Sequence, residues 1–296
     1  MASARAQLYR MFFVLKKSAA EGALQRWPGA IRGLERFQQL FQRHSTRTVL
    51  DWVRVQSGLS RGMWIEIAIP GEGFVWRGEH EPEVQDAIHA VLTQGTVFYD
   101  VGAHVGTMSL GAANVVGETG RVVAFDAEPE NVERLRRSAA KNGLEGRLRV
   151  VQAAVWSHSA RDGISFRRGA VRSQGGVEAE GNRPVLASGE IINVPAITLD
   201  DFIATGEPPP QLLKIDVEGG EYEVLRGAAR LFASLRPLVL IEVHHQQAAD
   251  QIATWLHDYR YEGRWNIPKE EFPRRLFAWP AEQVEKAWRD VSPKPG

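Results

Sequence analysis

The sequence predicts an α/β fold in which a mostly parallel sheet carries helices on both faces. Strand-like and helix-like segments alternate from Thr96 onward, the strand segments are short continuous apolar runs, and a glycine loop follows the first of them. Continuous apolar runs are typical of parallel strands because helices cover both faces of such a sheet. The chain has 296 residues, 44% hydrophobic and 24% charged, which excludes a disordered protein.

The segment before this alternation is predicted to be a helical, basic N-terminal extension, residues 1–61. Apolar residues at three- and four-residue spacing predict helices at 6–17 and 34–42. The runs WIEIAI and FVW flank a Pro/Gly turn, which predicts a hairpin over residues 63–76. Helical periodicity returns at 83–92.

The catalytic domain is predicted to span residues 62–296. Its remaining strands are predicted at 96–101, 121–127, 148–155, 212–217, 237–245 and 276–280. Its helices are predicted at 108–116, 129–142, 221–232 and 247–259. Residues 157–195 interrupt the alternation and are rich in Gly, Ser and Arg, with short antiparallel strands at 164–167 and 191–194. We expect a lid-like insertion that contacts the substrate.

The formal net charge of zero conceals an asymmetry. Residues 1–61 hold eleven basic and three acidic residues, so they carry +8 and the rest of the chain carries −8. Such an extension could contact a membrane surface, a nucleic acid or the acidic body of its own chain. There is no cysteine, which excludes disulfides, thiolate nucleophiles and zinc–thiolate sites. No segment predicts a signal peptide or a membrane span, and we expect a cytoplasmic enzyme.

The glycine loop DVGAHVG at 100–106 lies where open α/β sheets bind ligands. Strand 121–126 ends at Asp126, an acid placed to accept hydrogen bonds from two ribose hydroxyls. Dinucleotide loops usually read G-x-G-x-x-G, whereas this loop reads G-x-x-x-G with Asp100 ahead of it. A carboxylate there repels pyrophosphate and suits a cationic ligand, so the loop favours S-adenosylmethionine over NAD.

Four ionisable residues are predicted to meet in one crevice at the carboxyl edge of the sheet: Asp216, Glu218, Glu242 and His244. Lys214 lies one step deeper on its strand and could pair with a carboxylate or hold a substrate oxygen. His244 has the ordinary pKa that suits a general base at neutral pH, with Asp216 as the rival. Lys214 and Glu242 could instead form a buried ion pair between neighbouring strands. A divalent metal held by the same groups is a further alternative, and we favour a metal-independent mechanism.

Several blocks of the sequence resemble those of FkbM-type methyltransferases. The blocks are DVGAHVG at 100–106, VVAFDAEPEN at 122–131, ITLDDF at 197–202, KIDVEGGEYEVLRG at 214–227 and IEVH at 241–244. The resemblance runs from about Gly62 to about Tyr259. His104 stands where Asn is commoner in the family, and Asp126-Ala127 replaces the usual Glu-Pro.

The resemblance implies a seven-stranded class I methyltransferase fold, Rossmann-like and mostly parallel, that uses S-adenosylmethionine. The acceptor is then expected to be a hydroxyl of a sugar, glycolipid or polyketide-like product. The residues predicted to bind the cofactor are Asp100, Gly102, Ala103, His104, Gly106, Asp126, Ala127, Asn131, Ala154, Val155 and Trp156.

Two other functions remain alternatives at this point: a nicotinamide-dependent oxidoreductase on the same type of sheet, and a non-catalytic interaction protein that uses the basic extension. For the methyltransferase we expect a small-molecule or glycan acceptor and no nucleic-acid partner. We also consider peripheral membrane contact through the extension, and a homo-oligomer.

Overall fold

The computed structural model describes residues 49–69, 71–169, 175–178, 189–267 and 271–283. The helices predicted at 6–17 and 34–42 therefore lie outside the described residues, as does the basic extension up to residue 48. Within the described part of the chain, no helix is both long and apolar enough to cross a membrane.

A seven-stranded, mostly parallel sheet confirms the predicted fold class. Its strands are β3 (Val97–Val101), β4 (Arg121–Asp126), β5 (Leu148–Gln152), β10 (Leu212–Ile215), β11 (Leu238–Val243), β12 (Tyr261–Trp265) and β13 (Arg274–Pro280). Their order is β12-β13-β11-β10-β3-β4-β5, and β13 runs antiparallel to both of its neighbours. From β3 the chain first adds β4 and β5 on one side and later adds β10 and β11 on the other. The connections on the two sides of β3 therefore run in opposite directions, which opens a crevice at the carboxyl end of this strand.

Helices cover both faces of this sheet. They are α1 (Gly73–Arg77), α2 (Pro82–Val91), α3 (Thr107–Val116), α4 (Pro129–Lys141), α5 (Leu199–Ala204), α6 (Glu221–Arg226), α7 (Ala229–Ser234) and α8 (Gln246–Asp258). Phe98 and Tyr99 of β3 are both fully buried, although successive strand residues point to opposite faces. The sheet has a separate hydrophobic cluster on each face: Phe98 belongs to one cluster with Leu110 of α3, and Tyr99 belongs to the other with Phe232 of α7. This double burial explains the unbroken apolar runs of the strands.

The predicted hairpin over 63–76 is wrong in its second half. The run WIEIAI forms β2 (Trp64–Ile69), but its antiparallel partner is β1 (Val49–Arg54). The FVW run lies in α1 instead. The turn between them is fixed by Glu72, whose carboxylate accepts a hydrogen bond from Ala68 N at 2.7 Å and pairs with the fully buried Arg134. A long-range ion pair therefore overrides the local alternation.

The strand β1 also corrects the expectation that residues 1–61 are helical throughout. Residues 49–54 pair along their whole length with β2, which packs in turn on α4. β1 adopts an extended conformation because the edge of β2 presents unpaired backbone groups with which it can form hydrogen bonds. The division of the chain into a basic extension and a catalytic domain stays a prediction.

The predicted insertion forms a separate four-stranded sheet. Its strands are β6 (Ala154–Val155), β7 (Ala160–Arg167), β8 (Gly176–Val177) and β9 (Ile191–Ile197), in the order β6-β9-β7-β8. The strand predicted at 148–155 is thus divided: β5 belongs to the large sheet and β6 to the small one. Phe166, Val177 and Val194 pack with Trp156 in a core of their own.

The helix predicted at 221–232 is divided into α6 and α7. A side chain at Gly227 would collide with the Trp156 carbonyl, so the backbone is confined there. The Asp200 carboxylate accepts hydrogen bonds from Arg230 N at 2.8 Å and Leu231 N at 2.9 Å, which satisfies the first amides of the second helix.

Candidate active site

A cavity of about 220 Å³ lies at the carboxyl ends of β3, β4, β10 and β11. Eleven of the sixteen predicted site residues line it: Gly102, His104, Asp126, Ala127, Asn131, Ala154, Val155, Trp156, Asp216, Glu218 and Glu242. The other five, Asp100, Ala103, Gly106, Lys214 and His244, lie behind its wall. The sequence blocks thus converge on one crevice, since parallel strands bring their carboxyl ends to the same edge.

The glycine loop is held against β4 by backbone contacts. Gly102 N and Ala103 N both donate to the Phe125 carbonyl, at 3.0 and 2.9 Å. Gly102 has a φ of 80°, and a side chain there would collide with the Asp216 carbonyl. Only glycine therefore lets the loop after β3 approach the loop after β10.

Asp126 is anchored at the centre of the cavity. Its Oδ2 accepts a hydrogen bond from His104 N at 2.7 Å, and its Oδ1 accepts from Glu128 N at 2.9 Å and from Asn131 Nδ2 at 3.4 Å. Burial raises the pKa of Asp126 to about 7, although these donors act in the opposite direction. The carboxylate is thus oriented before any ligand arrives.

The side chain of His104 is partly buried beside Glu72, with Nε2 at 3.6 Å from the Glu72 carboxylate. Burial lowers the pKa of His104 to about 4, so the imidazole is neutral at pH 7. Its backbone φ is 51°, which shapes the loop so that its amide reaches Asp126. The contact of this residue with Asp126 is made by the main chain, so an Asn is not required at this position.

Asp100 lies below the loop, away from the cavity. It is fully buried; its Oδ2 accepts a hydrogen bond of 2.5 Å from Ser109 Oγ, and its Oδ1 lies 3.5 Å from Lys214 Nζ. Lys214 also donates to Asp216 Oδ2 at 3.2 Å. Burial by itself would lower the pKa of Lys214, but the charges of Asp216 and Asp100 raise it above its ordinary value. Lys214 therefore stays charged and joins the end of β3, at Asp100, to the loop that follows β10, at Asp216.

Glu242 does not form the ion pair with Lys214 that the sequence left open. Its partner is Arg275, directly opposite on β13, whose Nε donates to Glu242 Oε2 at 2.8 Å. Arg275 also donates to Glu81 at 2.7 Å. Burial and the charge of Asp216 raise the pKa of Glu242.

His244 is surrounded by carboxylates. Its Nδ1 lies 2.8 Å from Oε1 of the fully buried Glu221, and its Nε2 lies 3.4 Å from Glu218 and 3.9 Å from both Asp216 and Glu242. Burial alone would lower the pKa of His244, but the bond to Glu221 and the surrounding charges raise it to about 10. The imidazole is therefore protonated at neutral pH, and in that state it has no free lone pair with which to accept a proton.

Glu218 lies in the loop after β10 and lines the cavity. Its φ is 55°, a left-handed conformation that non-glycine residues seldom adopt. Burial raises its pKa to about 7, the charge of His244 opposes this rise, and Asp216 adds to it. Of the carboxylates around His244, Glu218 thus combines access to the cavity with a pKa suited to proton transfer at neutral pH.

A family model described as the methyltransferase FkbM domain matches residues 100–262, more than half of the chain. The chain belongs to the FkbM methyltransferase family. It is 26% identical over 206 residues to the hexuronic acid methyltransferase AglP of Haloferax volcanii, covering 66% of this chain and 80% of that relative.

A solved FkbM methyltransferase from Methylobacillus flagellatus is similar with 17% identity and a TM-score of 0.45, over 64% of this chain and 48% of that one. This FkbM chain thus spans about half the length of that structure. A methyltransferase from Streptococcus mutans, solved in complex with S-adenosylhomocysteine, is similar with 9% identity and a TM-score of 0.42, over 66% of this chain and 93% of that one.

S-adenosylmethionine is the cofactor of this FkbM methyltransferase, not NAD. The cavity fits it chemically. Asp126 presents a buried, pre-oriented carboxylate that suits ribose hydroxyls. On one side of Asp126, the carboxylates of Asp216 and Glu218 suit a cationic sulfonium and ammonium, and on the other side the wall is apolar, around Trp156.

Within the part of the chain that the structure describes, two sets of three side chains could also hold a metal ion. They are Asp216 with Glu218 and His244, and Asp216 with Glu81 and Glu242; within each set the ligand atoms lie within 4.8 Å of one another. Oxygen-rich sets of this kind suit hard divalent cations. The metal-independent mechanism favoured from the sequence stays a prediction.

Sequence reasoning missed several residues that shape this FkbM site, among them the ionisable residues Glu221, Glu81 and Arg275. Glu221 belongs to the KIDVEGGE block, but an acid in the first turn of a helix is usually an ordinary stabilising residue. Glu81 and Arg275 lie far from the blocks in sequence, and only the pairing of β13 with β11 brings Arg275 beside Glu242. The block itself was the one signal that could have identified Glu221.

Proposed function

We propose that this protein transfers the methyl group of S-adenosylmethionine to a hydroxyl of a sugar, glycolipid or polyketide-like product. The observation that carries the proposal is the position of the Glu218 carboxylate, which lines the cofactor cavity and lies 3.4 Å from Nε2 of His244. Burial there raises its pKa to about 7. Hydroxyl acceptors need their proton removed as the new bond forms. The relative AglP, named for a hexuronic acid, supports a carbohydrate acceptor.

In the proposed reaction, Glu218 accepts the acceptor proton. Bound S-adenosylmethionine supplies an electrophilic methyl group on a positively charged sulfur. As the O–CH₃ bond forms, the S–CH₃ bond breaks with its electron pair on sulfur, and the hydroxyl proton passes to the Glu218 carboxylate. The products are the methylated acceptor and S-adenosylhomocysteine.

His244 and Lys214 keep the base in place in this scheme. The protonated His244, 3.4 Å from Glu218, stabilises the ionised form of that carboxylate. Lys214 Nζ lies 3.2 Å from Asp216 Oδ2 and so fixes the position of Asp216 in the same loop as Glu218. Asp216 is the alternative base, since it also lines the cavity and its backbone carbonyl lies against Gly102 of the glycine loop.

The test is methyl transfer by the full chain from isotopically labelled S-adenosylmethionine to a panel of hexosides, glycolipids and hydroxylated polyketides, read by mass spectrometry. A labelled product that resists alkaline hydrolysis is a methyl ether, and one that loses its label is a methyl ester. A methyl ether that disappears with Glu218→Gln supports the proposal. Label found only on nitrogen or carbon, or only as an ester, would contradict it.

A further inference from the structure

The inner surface of the insertion sheet faces the same cavity as the glycine loop. Phe166 of β7 and Val177 of β8 line the cavity together with Trp156. Both are buried, and they are directly paired across the two strands. A side chain at the neighbouring Gly175 would collide with the Phe166 ring, so the wall is closely packed here.

The sheet order gives the cavity a direction. Asp126 ends β4, with β3 and β10 on one side of it and β5 on the other. The carboxylates of Asp216 and Glu218 lie on the β10 side. With the ribose at Asp126 and the cationic methionine portion among these carboxylates, the base of the cofactor extends toward β5, where Ala154 and Trp156 lie.

A flat aromatic base needs apolar walls on its faces. On the β5 side these walls are Ala127, which follows β4, Trp156, which follows β6, and Phe166 and Val177 of the insertion, all of which belong to one apolar cluster. An ion pair spans the same junction. Arg168 Nε and Nη2 donate to the two oxygens of Glu128, each at 2.8 Å.

Glu128 connects this ion pair to Asp126, the carboxylate assigned to the ribose hydroxyls. The side chain of Glu128 is largely buried, and its backbone N donates to Asp126 Oδ1 at 2.9 Å. Arg168 therefore holds the insertion against the residue that also orients Asp126. The adjacent Arg167 pairs instead with Glu178, inside the insertion.

We propose that Phe166 and Val177 form the outer wall of the adenine site, and that Arg168 is a positioning residue that holds this wall against Glu128. The insertion then serves the cofactor rather than choosing the acceptor. This inference rests on the cofactor of the family and is independent of the acceptor proposed above.

The test compares Phe166→Ala with Val194→Ala, which removes a buried side chain of the same cluster that does not line the cavity. Affinities for S-adenosylhomocysteine and for 5′-methylthioadenosine, which has the base and ribose but no amino acid, are measured by calorimetry. Phe166→Ala should weaken both ligands by about ten-fold, or about 1.4 kcal/mol, while Val194→Ala should change either by less than about two-fold. Phe166→Leu, which keeps an apolar side chain, should lie between Phe166→Ala and the wild type.

Two results would overturn the adenine wall. One is an unchanged affinity of Phe166→Ala for 5′-methylthioadenosine together with a raised KM for the acceptor, because Phe166 would then face the acceptor. The other is an equal loss in Val194→Ala, because the effect would then come from the folding of the insertion.

The role of Arg168 is tested by the same binding measurements. Arg168→Ala should weaken both ligands by roughly three- to ten-fold, and Arg168→Lys, which keeps the charge but not the two-pronged geometry, should recover part of that loss. Arg167→Ala is the matched control and should bind as the wild type does. Wild-type affinity in Arg168→Ala, or an equal loss in Arg167→Ala, would show that Arg168 does not position the wall.

Discussion

Glu221 Oε1 lies 2.8 Å from His244 Nδ1, and this bond directs the other ring nitrogen of His244 toward the carboxylates of the cavity. Glu221 is fully buried, and the same oxygen accepts a second hydrogen bond from Gly219 N at 2.7 Å. A buried carboxylate held in this way favours the imidazolium, because removing its counter-charge would leave an unpaired ion in a low-dielectric interior. The pair therefore sets the charge of His244.

Glu221→Gln should lower the pKa of His244 from about 10 toward its ordinary value of 6.5, since the charged partner is lost. NMR titration of labelled histidine measures this. Glu223→Gln, on the same helix but paired with Arg226, is the matched control and should leave the pKa of His244 unchanged. An unchanged titration in Glu221→Gln would assign the raised pKa to Glu218 and Asp216 instead.

The raised pKa of His244 also predicts a pH dependence of stability. Because the folded-state pKa of about 10 exceeds 6.5, the stabilising contribution of His244 is fully present below pH 6.5 and is lost as the pH rises through 10. The free energy of unfolding, measured with urea, should fall over this range more steeply in the wild type than in His244→Gln. Equal slopes in the two proteins would contradict the prediction.

Turnover should rise with pH through about 7, because Glu218 must lose its proton before it can accept one from the acceptor. Glu218→Gln should lower kcat by about a hundred-fold or more and remove this rising limb. Its affinity for S-adenosylhomocysteine should fall much less than its kcat, because Asp216 still lines the cavity as a counter-charge for the ammonium group of the ligand. If Asp216→Asn, rather than Glu218→Gln, abolished the rising limb, Asp216 would be the base.

Asp126→Asn should weaken S-adenosylhomocysteine binding by roughly ten- to a hundred-fold, because the charge-assisted hydrogen bonds to the ribose are lost. In the wild type, affinity should also fall as the pH drops below about 7, because the carboxylate becomes protonated. Calorimetry at several pH values measures both effects. The exposed Asp162→Asn, on the insertion, is the control, and a pH-independent affinity in the wild type would show that Asp126 is not the ribose acid.

Lys214→Ala should lower the free energy of unfolding by about 3 to 5 kcal/mol, because it leaves Asp100 and Asp216 without their shared cation. Arg230→Ala, which removes an exposed partner of Asp200, should cost less than about 1 kcal/mol. Urea unfolding measures both variants. Equal losses of unfolding free energy in the two variants would mean that burial does not make the ion pairs of Lys214 more stabilising than the exposed pair of Arg230.

The local sequence predicted the parallel strands well because their information is local. Apolar runs such as VVAF and LVLIEV need only be buried on both faces, and they occur where expected in β4 and β11. The hairpin over 63–76 failed for the opposite reason. The strand that pairs with β2 precedes it in the chain, and the contact of Glu72 with Arg134, 62 residues away, turns the following segment into a helix.

In the candidate site too, local motifs predicted which residues meet, whereas long-range contacts decided their properties. Motif spacing brought Asp126, Asp216, Glu218 and Glu242 to one crevice, because the carboxyl ends of parallel strands share an edge. It could not give their charge states. His244 looked like a neutral base by its ordinary pKa, whereas its position among buried carboxylates makes it a cation.

The sequence by itself determined the family, the parallel sheet and the loop that meets the cofactor, since these depend on short blocks and on burial patterns along the chain. Only the tertiary structure decided which groups are charged, which partner Glu242 takes and where the insertion sheet lies. Those properties depend on the distances between side chains far apart in sequence, and electrostatic and packing energies are functions of such distances.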